Sequence, residues 1–171
     1  MEDTKSESGG ELSWTKDIED ILDNILQNTN DLSTHHCEKY LKIKERLTWY
    51  KIPVLTISAI NSVFSVALTI YISQQITSVI NCLMSLSCAI ITSVEMYLGL
   101  TKKLESELAS YHGYRLLSIK ISTLLKLQRA NREVDGMPFL NGIISEYKAL
   151  FEQSNVNHTI FQDRLTNPII P

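Results

Sequence analysis

An all-α fold, arranged as a two-pass transmembrane helical hairpin with long amphipathic cytosolic helices before and after it, is what this sequence predicts. Three observations carry the expectation. From Ile52 to Val94 no charged residue interrupts the chain between Lys51 and Glu95. On either side of that stretch, apolar residues recur at alternating steps of three and four, the period of a helix face. Basic residues gather against both ends of the stretch and are missing from its middle.

Residues 1–13 contain Ser, Glu, Asp and a Gly9-Gly10 pair with hardly any apolar surface, so they read as a flexible leader. From Trp14 the pattern changes. Ile18, Leu22, Ile25, Thr29, Leu32, His36, Tyr40, Ile43, Leu47 and Tyr50 draw one mostly apolar stripe, which predicts an amphipathic helix over 14–51. Its acids, Asp17, Glu19, Asp20 and Asp23, lie near the N-terminus and its lysines near the C-terminus, the order the helix dipole favours.

The uncharged stretch divides at Ser73, Gln74 and Gln75, its one run of consecutive polar side chains, into spans expected at 52–72 and 76–94. Each would cover a hydrocarbon core about 30 Å thick. Pro53 stands where a first helical turn tolerates it. Lys39, Lys42, Lys44, Arg46 and Lys51 precede the stretch, and Lys102, Lys103 and Arg115 follow it, which places both termini in the cytoplasm. The acidic first thirty or so residues have no apolar core, so no cleavable signal peptide is expected.

Past Val94 the second span is expected to run on without a break into a helical stalk over 96–153, through Tyr97, Leu100, Leu104, Leu108 and Tyr111, with Lys102, Lys103, Glu105 and Glu107 on the other face. The apolar sector widens at Leu116, Leu117, Ile119, Ile121, Leu124 and Leu127, implying burial against more than one neighbour. Gly136, Met137 and Pro138 should end that helix. Phe139, Ile143, Tyr147, Leu150 and Phe151 then suggest a short helix folding back. Residues 154–171 read as an irregular tail docked through Phe161 and Leu165, and the Asn157-His158-Thr159 sequon as a loop.

Composition narrows the function. A net charge of −3 over 171 residues, with basic residues interleaved with acids or gathered beside the membrane, does not resemble a surface for nucleic acid. Three cysteines without paired spacing fit a reduced, cytosolic setting rather than a disulfide framework. No glycine-rich phosphate loop or nucleophile motif is present, so no catalytic residue and no cofactor is expected. Adjacent helical residues point about 100° apart, so His35, His36 and Cys37 cannot converge on one metal ion.

The residues of interest form an intramembrane polar stripe. Ser58, Asn61, Ser62, Ser65 and Thr69 share one face of the first span, and Ser78, Asn81, Ser85, Cys88, Thr92 and Glu95 share one face of the second. Two readings stand side by side. Small polar residues let helices approach and hydrogen-bond across a seam, or copies assemble with these faces around a wetted path. Glu95, one residue past the span, is expected at headgroup level near water or Lys102 and Lys103.

The amphipathic helix, the Ile52-Pro53 entry, the run from Ser58 to Ser65, the Glu95-Met96-Tyr97-Leu98 exit and the helical stalk together resemble the SLATT family of two-transmembrane effectors, over roughly Leu32 to Phe151. The layout is also similar to membrane proteins of large DNA viruses of eukaryotes. The SLATT resemblance implies an oligomer that perforates or depolarises membranes. The expectation from the residues themselves is a non-enzymatic integral membrane protein, multi-pass, that forms homo-oligomers through the hairpin and the cytosolic helices. It would act as an anchor or scaffold for an unknown protein partner at the lipid bilayer; the resemblance to viral membrane proteins implies a viral envelope or inner membrane as its setting. The alternative is the SLATT-like pore.

Overall fold

A computed structural model describes residues 14–67, 71–154 and 164–165. The leader, Thr69, Phe161 and the sequon fall outside them. Among the described residues the order is α1 (Lys16–Ala67), α2 (Gln74–Leu98), α3 (Leu100–Lys126), a single 3-10 turn (Arg129–Asn131) and α4 (Gly136–Gln153). The chain divides into two compact units, one of residues 1–37 with 107–171 and one of residues 38–106.

The first unit packs the start of α1 against α3 and α4. Leu22, Ile25 and Leu32 of α1, Tyr114, Leu117 and Ile121 of α3, and Leu140, Ile143 and Tyr147 of α4 form its core. Removing each aliphatic side chain from water stabilises by about 1.5–3 kcal/mol. At Gly113 the α3–α4 approach is so close that a Cβ would stand 2.5 Å from Leu150 Cδ2. The widened apolar sector is only half buried: Leu117 and Ile121 are inside, whereas Leu116 and Ile119 are exposed. One face of α3 is covered by two neighbours here, while Leu116 and Ile119 stay largely uncovered among the described residues.

Where helices start and stop differs from expectation at three points. Gly136, Met137 and Pro138 begin α4 rather than ending α3. Proline suits a first turn, whose N–H groups have no helical partner, and α3 has already stopped at Lys126. Gly99 interrupts the expected continuous stalk: its φ of 61° is left-handed, and its N–H bonds Met96 O at 3.1 Å. A side chain there would cost about 1–2 kcal/mol, so glycine permits a joint between α2 and α3. The turn lies at Tyr71, Ile72 and Ser73, with Gln74 and Gln75 already helical. Ser73 O accepts from the Ile76 and Thr77 N–H groups at 3.1 and 3.2 Å.

The second unit corrects the fold class. The chain is all-α, but among the described residues one helix, Gln74–Leu98, is long and apolar enough to cross a membrane. The two-pass hairpin over 52–95 is not what the structure contains. Its first limb is the end of α1, continuous from Lys16 through Pro53. The described part of that limb, 52–67, measures about 24 Å at 1.5 Å per residue, short of the ~30 Å core. The second limb, at 25 residues, exceeds it.

Candidate membrane-facing surface

Within the second unit, the end of α1 and α2 run antiparallel. Ser58 Oγ lies 3.7 Å from Cys88 Sγ, and Cys88 Sγ lies 3.9 Å from Val54 O. The seam is set by spacing. Val54, Ile57 and Asn61 on α1, and Ile80, Asn81, Met84, Cys88 and Ile91 on α2, are half-buried, and Thr77 is buried. The polar stripe is thereby split. Asn61, Asn81, Cys88 and Glu95 sit in or beside the seam, whereas Ser58, Ser62, Ser65, Ser78, Ser85 and Thr92 are exposed.

Hydroxyls outside the seam are compatible with an apolar medium because the backbone satisfies them. Thr56, Ser65, Ser87 and Ser93 each donate to the carbonyl four residues earlier, at 2.9, 2.8, 2.9 and 2.7 Å. Such back-bonding is how helices carry Ser and Thr where no water is available. Buried Asn61 Oδ1 and Asn81 Oδ1 have no hydrogen-bond partner. Asn81→Leu should therefore leave the thermal midpoint of the detergent-solubilised protein unchanged, or raise stability by up to about 1 kcal/mol, since it removes an unmet acceptor rather than a bond. Circular dichroism melting of the two proteins checks this; a large loss would mean the amide is paired.

Glu95 does not reach Lys102 or Lys103. Its Oε1 accepts from Thr101 Oγ1 at 2.8 Å, across the Gly99 joint. It also borders a cavity of about 170 Å³ shared with Tyr50, Lys51, Val54, Leu55, Ile91 and Thr92.

Around the seam the unit turns large apolar side chains outward. Leu55, Val63 and Val66 on α1, and Val79, Leu83, Leu86 and Ile90 on α2, are all more than half exposed. Only 6% of the apolar window of α2 is buried. That fraction separates α2 from the core helix of a water-soluble unit, which would be mostly covered. Exposed Trp49 and Tyr97 stand at one end of the apolar band and exposed Tyr71 at the other.

In the first unit the sequence reading missed two polar clusters. His36, 1% exposed, meets Glu107 (Nδ1 to Oε2, 2.6 Å) and stacks on the Tyr114 ring at 5.5 Å. Glu107, expected on the face away from the stalk's apolar residues, lies against the His36 stripe. Among the described residues no group of His, Cys, Asp and Glu is arranged to hold a metal. Tyr114 also shares a 2.8 Å hydrogen bond with Ser154 Oγ, and burial pushes its hydroxyl pKa above the ordinary 10.0.

The second cluster ties the start of α1 to the α3–α4 connection. Trp14 Nε1 donates to Val134 O at 2.9 Å, and the Arg132 guanidinium lies 4.4 Å from the Trp14 ring. Arg129 donates twice to Glu19, at 3.0 and 2.7 Å, and Arg132 once, at 2.6 Å. The Arg129 hydrogen bonds, opposed by burial and reinforced by Arg132, hold the Glu19 carboxyl at about 2, against an ordinary 4.5.

A lowered folded-state pKa adds stability above about pH 4.5, which is lost as pH falls toward 2. Because the cluster is partly solvated, that contribution is at most about 1 kcal/mol. Glu19→Gln should flatten this part of the stability-versus-pH curve, measured by urea unfolding between those two values. A curve as steep as that of the parent would show the carboxyl contributes nothing.

The fold and surface together define a class: an all-helical protein with a small packed helical unit and an apolar unit containing one span-length helix. The chain is 23% identical over 138 residues to the uncharacterized protein VP11 of Micromonas pusilla reovirus (isolate Netherlands/2005), a likeness covering 81% of this chain and 72% of that protein. No family model matches the chain, and no solved structure matches it.

Proposed function

We propose that this protein is a non-enzymatic membrane anchor, held at a lipid bilayer by its span-length helix α2, whose other helical unit serves as a scaffold for partners. The observation that carries the reading is the apolar surface of the second unit, bracketed by exposed Trp49 and Tyr97 at one end and Tyr71 at the other. Aromatic side chains favour the two membrane–water boundaries, and an exposed apolar surface of this extent marks an interaction site rather than ordinary solvent contact.

Lys39, Lys42, Lys44, Arg46, Lys51, Lys102 and Lys103 gather at the Trp49 end of that unit, and none occurs near its turn. The basic end of α2 is therefore the cytosolic one by the positive-inside rule. The span-length α2 supplies the depth, and α1 covers its seam. Asn61 and Asn81, half-buried between the two helices, support helix packing over a pore lining. Exposed Leu116 and Ile119 on α3 support association of copies. The likeness to a reovirus protein supports a viral setting.

The test is flotation of the full-length protein with phosphatidylcholine vesicles, followed by washing in high salt and in alkaline carbonate. Protein that floats and survives both washes agrees with embedding. Protein that stays at the bottom of the gradient, or leaves in salt alone, defeats the reading.

A further inference from the structure

Beside the Gly99 joint, the second unit contains a cleft of about 550 Å³ lined by Arg46, Trp49, Tyr50, Leu98, Leu100 and Lys103. We propose that this cleft is a binding site for the phosphate headgroup of an anionic glycerophospholipid, an inference that rests on the membrane-anchor reading above.

Helical spacing builds one wall. Arg46, Trp49 and Tyr50 stand at i, i+3 and i+4 of α1, on one face. The joint builds the other. Left-handed Gly99 ends α2 at Leu98 and restarts the chain as α3, leaving Leu100 buried and Lys103 exposed one turn further on. The lining thus holds two cations and no carboxylate. Among the described residues neither Arg46 nor Lys103 is in an ion pair, whereas Arg129, Arg132, Arg164 and Lys120 each face an acid.

Those parts match one ligand chemistry. A guanidinium fork and an ammonium suit a phosphodiester, the first by paired hydrogen bonds and the second as a point charge. Indole and phenol groups offer a donor beside an apolar ring, as ligands at the headgroup boundary require. Leu98, exposed at the cleft, gives the first methylenes of an acyl chain a surface, which inorganic phosphate could not use. The smaller cavity nearby carries Glu95, whose carboxylate would repel the same headgroup. Basic recesses beside a membrane-embedded helix are where anionic lipids bind selectively.

The experiment uses the full-length protein in phosphatidylcholine vesicles containing brominated phosphatidylglycerol or brominated phosphatidylcholine at equal mole fraction. Quenching of Trp49 is read as the difference from a Trp49→Phe variant. Preference for phosphatidylglycerol on the order of tenfold is expected for two cations at the surface. It should fall to near unity in Arg46→Gln/Lys103→Gln and persist in Lys39→Gln/Lys42→Gln, which removes the same charge outside the cleft. Equal quenching by both lipids, or equal loss of preference in the two double variants, would overturn the site in favour of diffuse surface charge. Loss of preference on adding millimolar inorganic phosphate at constant ionic strength would reassign the cleft to a soluble ligand. The same comparison in neutral detergent micelles doped with each lipid needs no bilayer insertion. Failure to float therefore sinks the anchor reading alone, while failure of preference in micelles sinks this one.

Discussion

Arginine in place of Leu86 should release the protein from vesicles. Leu86 lies near the middle of α2 and is 54% exposed, so the substitution disturbs little of the seam. In water it would be harmless. At the centre of a bilayer an arginine costs about 2.5–3.5 kcal/mol on insertion scales, a shift of about a hundredfold in partitioning. Adding Leu83→Arg, on a neighbouring exposed position, should move nearly all of the protein to the bottom of the gradient. The helical circular dichroism of the first unit would be unchanged. A double variant that floats as well as the parent would mean that the exposed apolar surface meets protein instead of lipid.

Leu22→Ala should be strongly destabilising to the first unit. Leu22 is fully buried among α1, α3 and α4, and removing its side chain leaves a cavity whose neighbours can only partly collapse. Substitutions of this kind cost about 2–5 kcal/mol. Leu116→Ala, at 67% exposure on α3, is the matched control. It should stay within about 0.5 kcal/mol of the parent. Both follow from denaturant unfolding monitored through Trp14, in a Trp49→Phe background so that the buried indole is the reporter. Comparable losses at the two positions would mean that Leu116 is covered in the protein as it exists in solution.

The same pair of leucines shows what could be read in the chain. Both lie in apolar helical patterns and nothing in the local sequence ranks them. The stripe from Ile18 through Leu22, Ile25, Leu32 and His36 is buried because a single helix face has only one way to leave water. On α3 several apolar residues in succession leave two faces open, and only the position of α1 and α4 decides that Leu117 and Ile121 go inside while Leu116 and Ile119 stay out. His36 was legible as a member of the stripe; its partner Glu107 was not. An acid 71 residues away has no local signature of pairing, and its neighbour Glu105 has the same composition on the other side of the helix.

The polar stripe divides in the same manner. Its members share a rough helical face, and the sequence could not say which of them lie in the seam. Ser58 reaches Cys88 while exposed, and Asn61 and Asn81 go between the helices. An α-helix face is broad enough to hold both a seam and its flank. The crossing angle and offset of the partner choose between them.

Sequence alone determined that this chain is helical, where its apolar stretch begins and ends, and which end of that stretch is basic, because periodicity, charge and hydropathy act on each residue through its near neighbours. The tertiary structure decided that α1 passes unbroken through Pro53, that one helix rather than two has span length among the described residues, that Gly99 opens a joint, and that Glu19 and Glu107 are held by Arg129 and His36. Those outcomes depend on contacts between residues far apart in the chain, and such contacts form only when helices have neighbours.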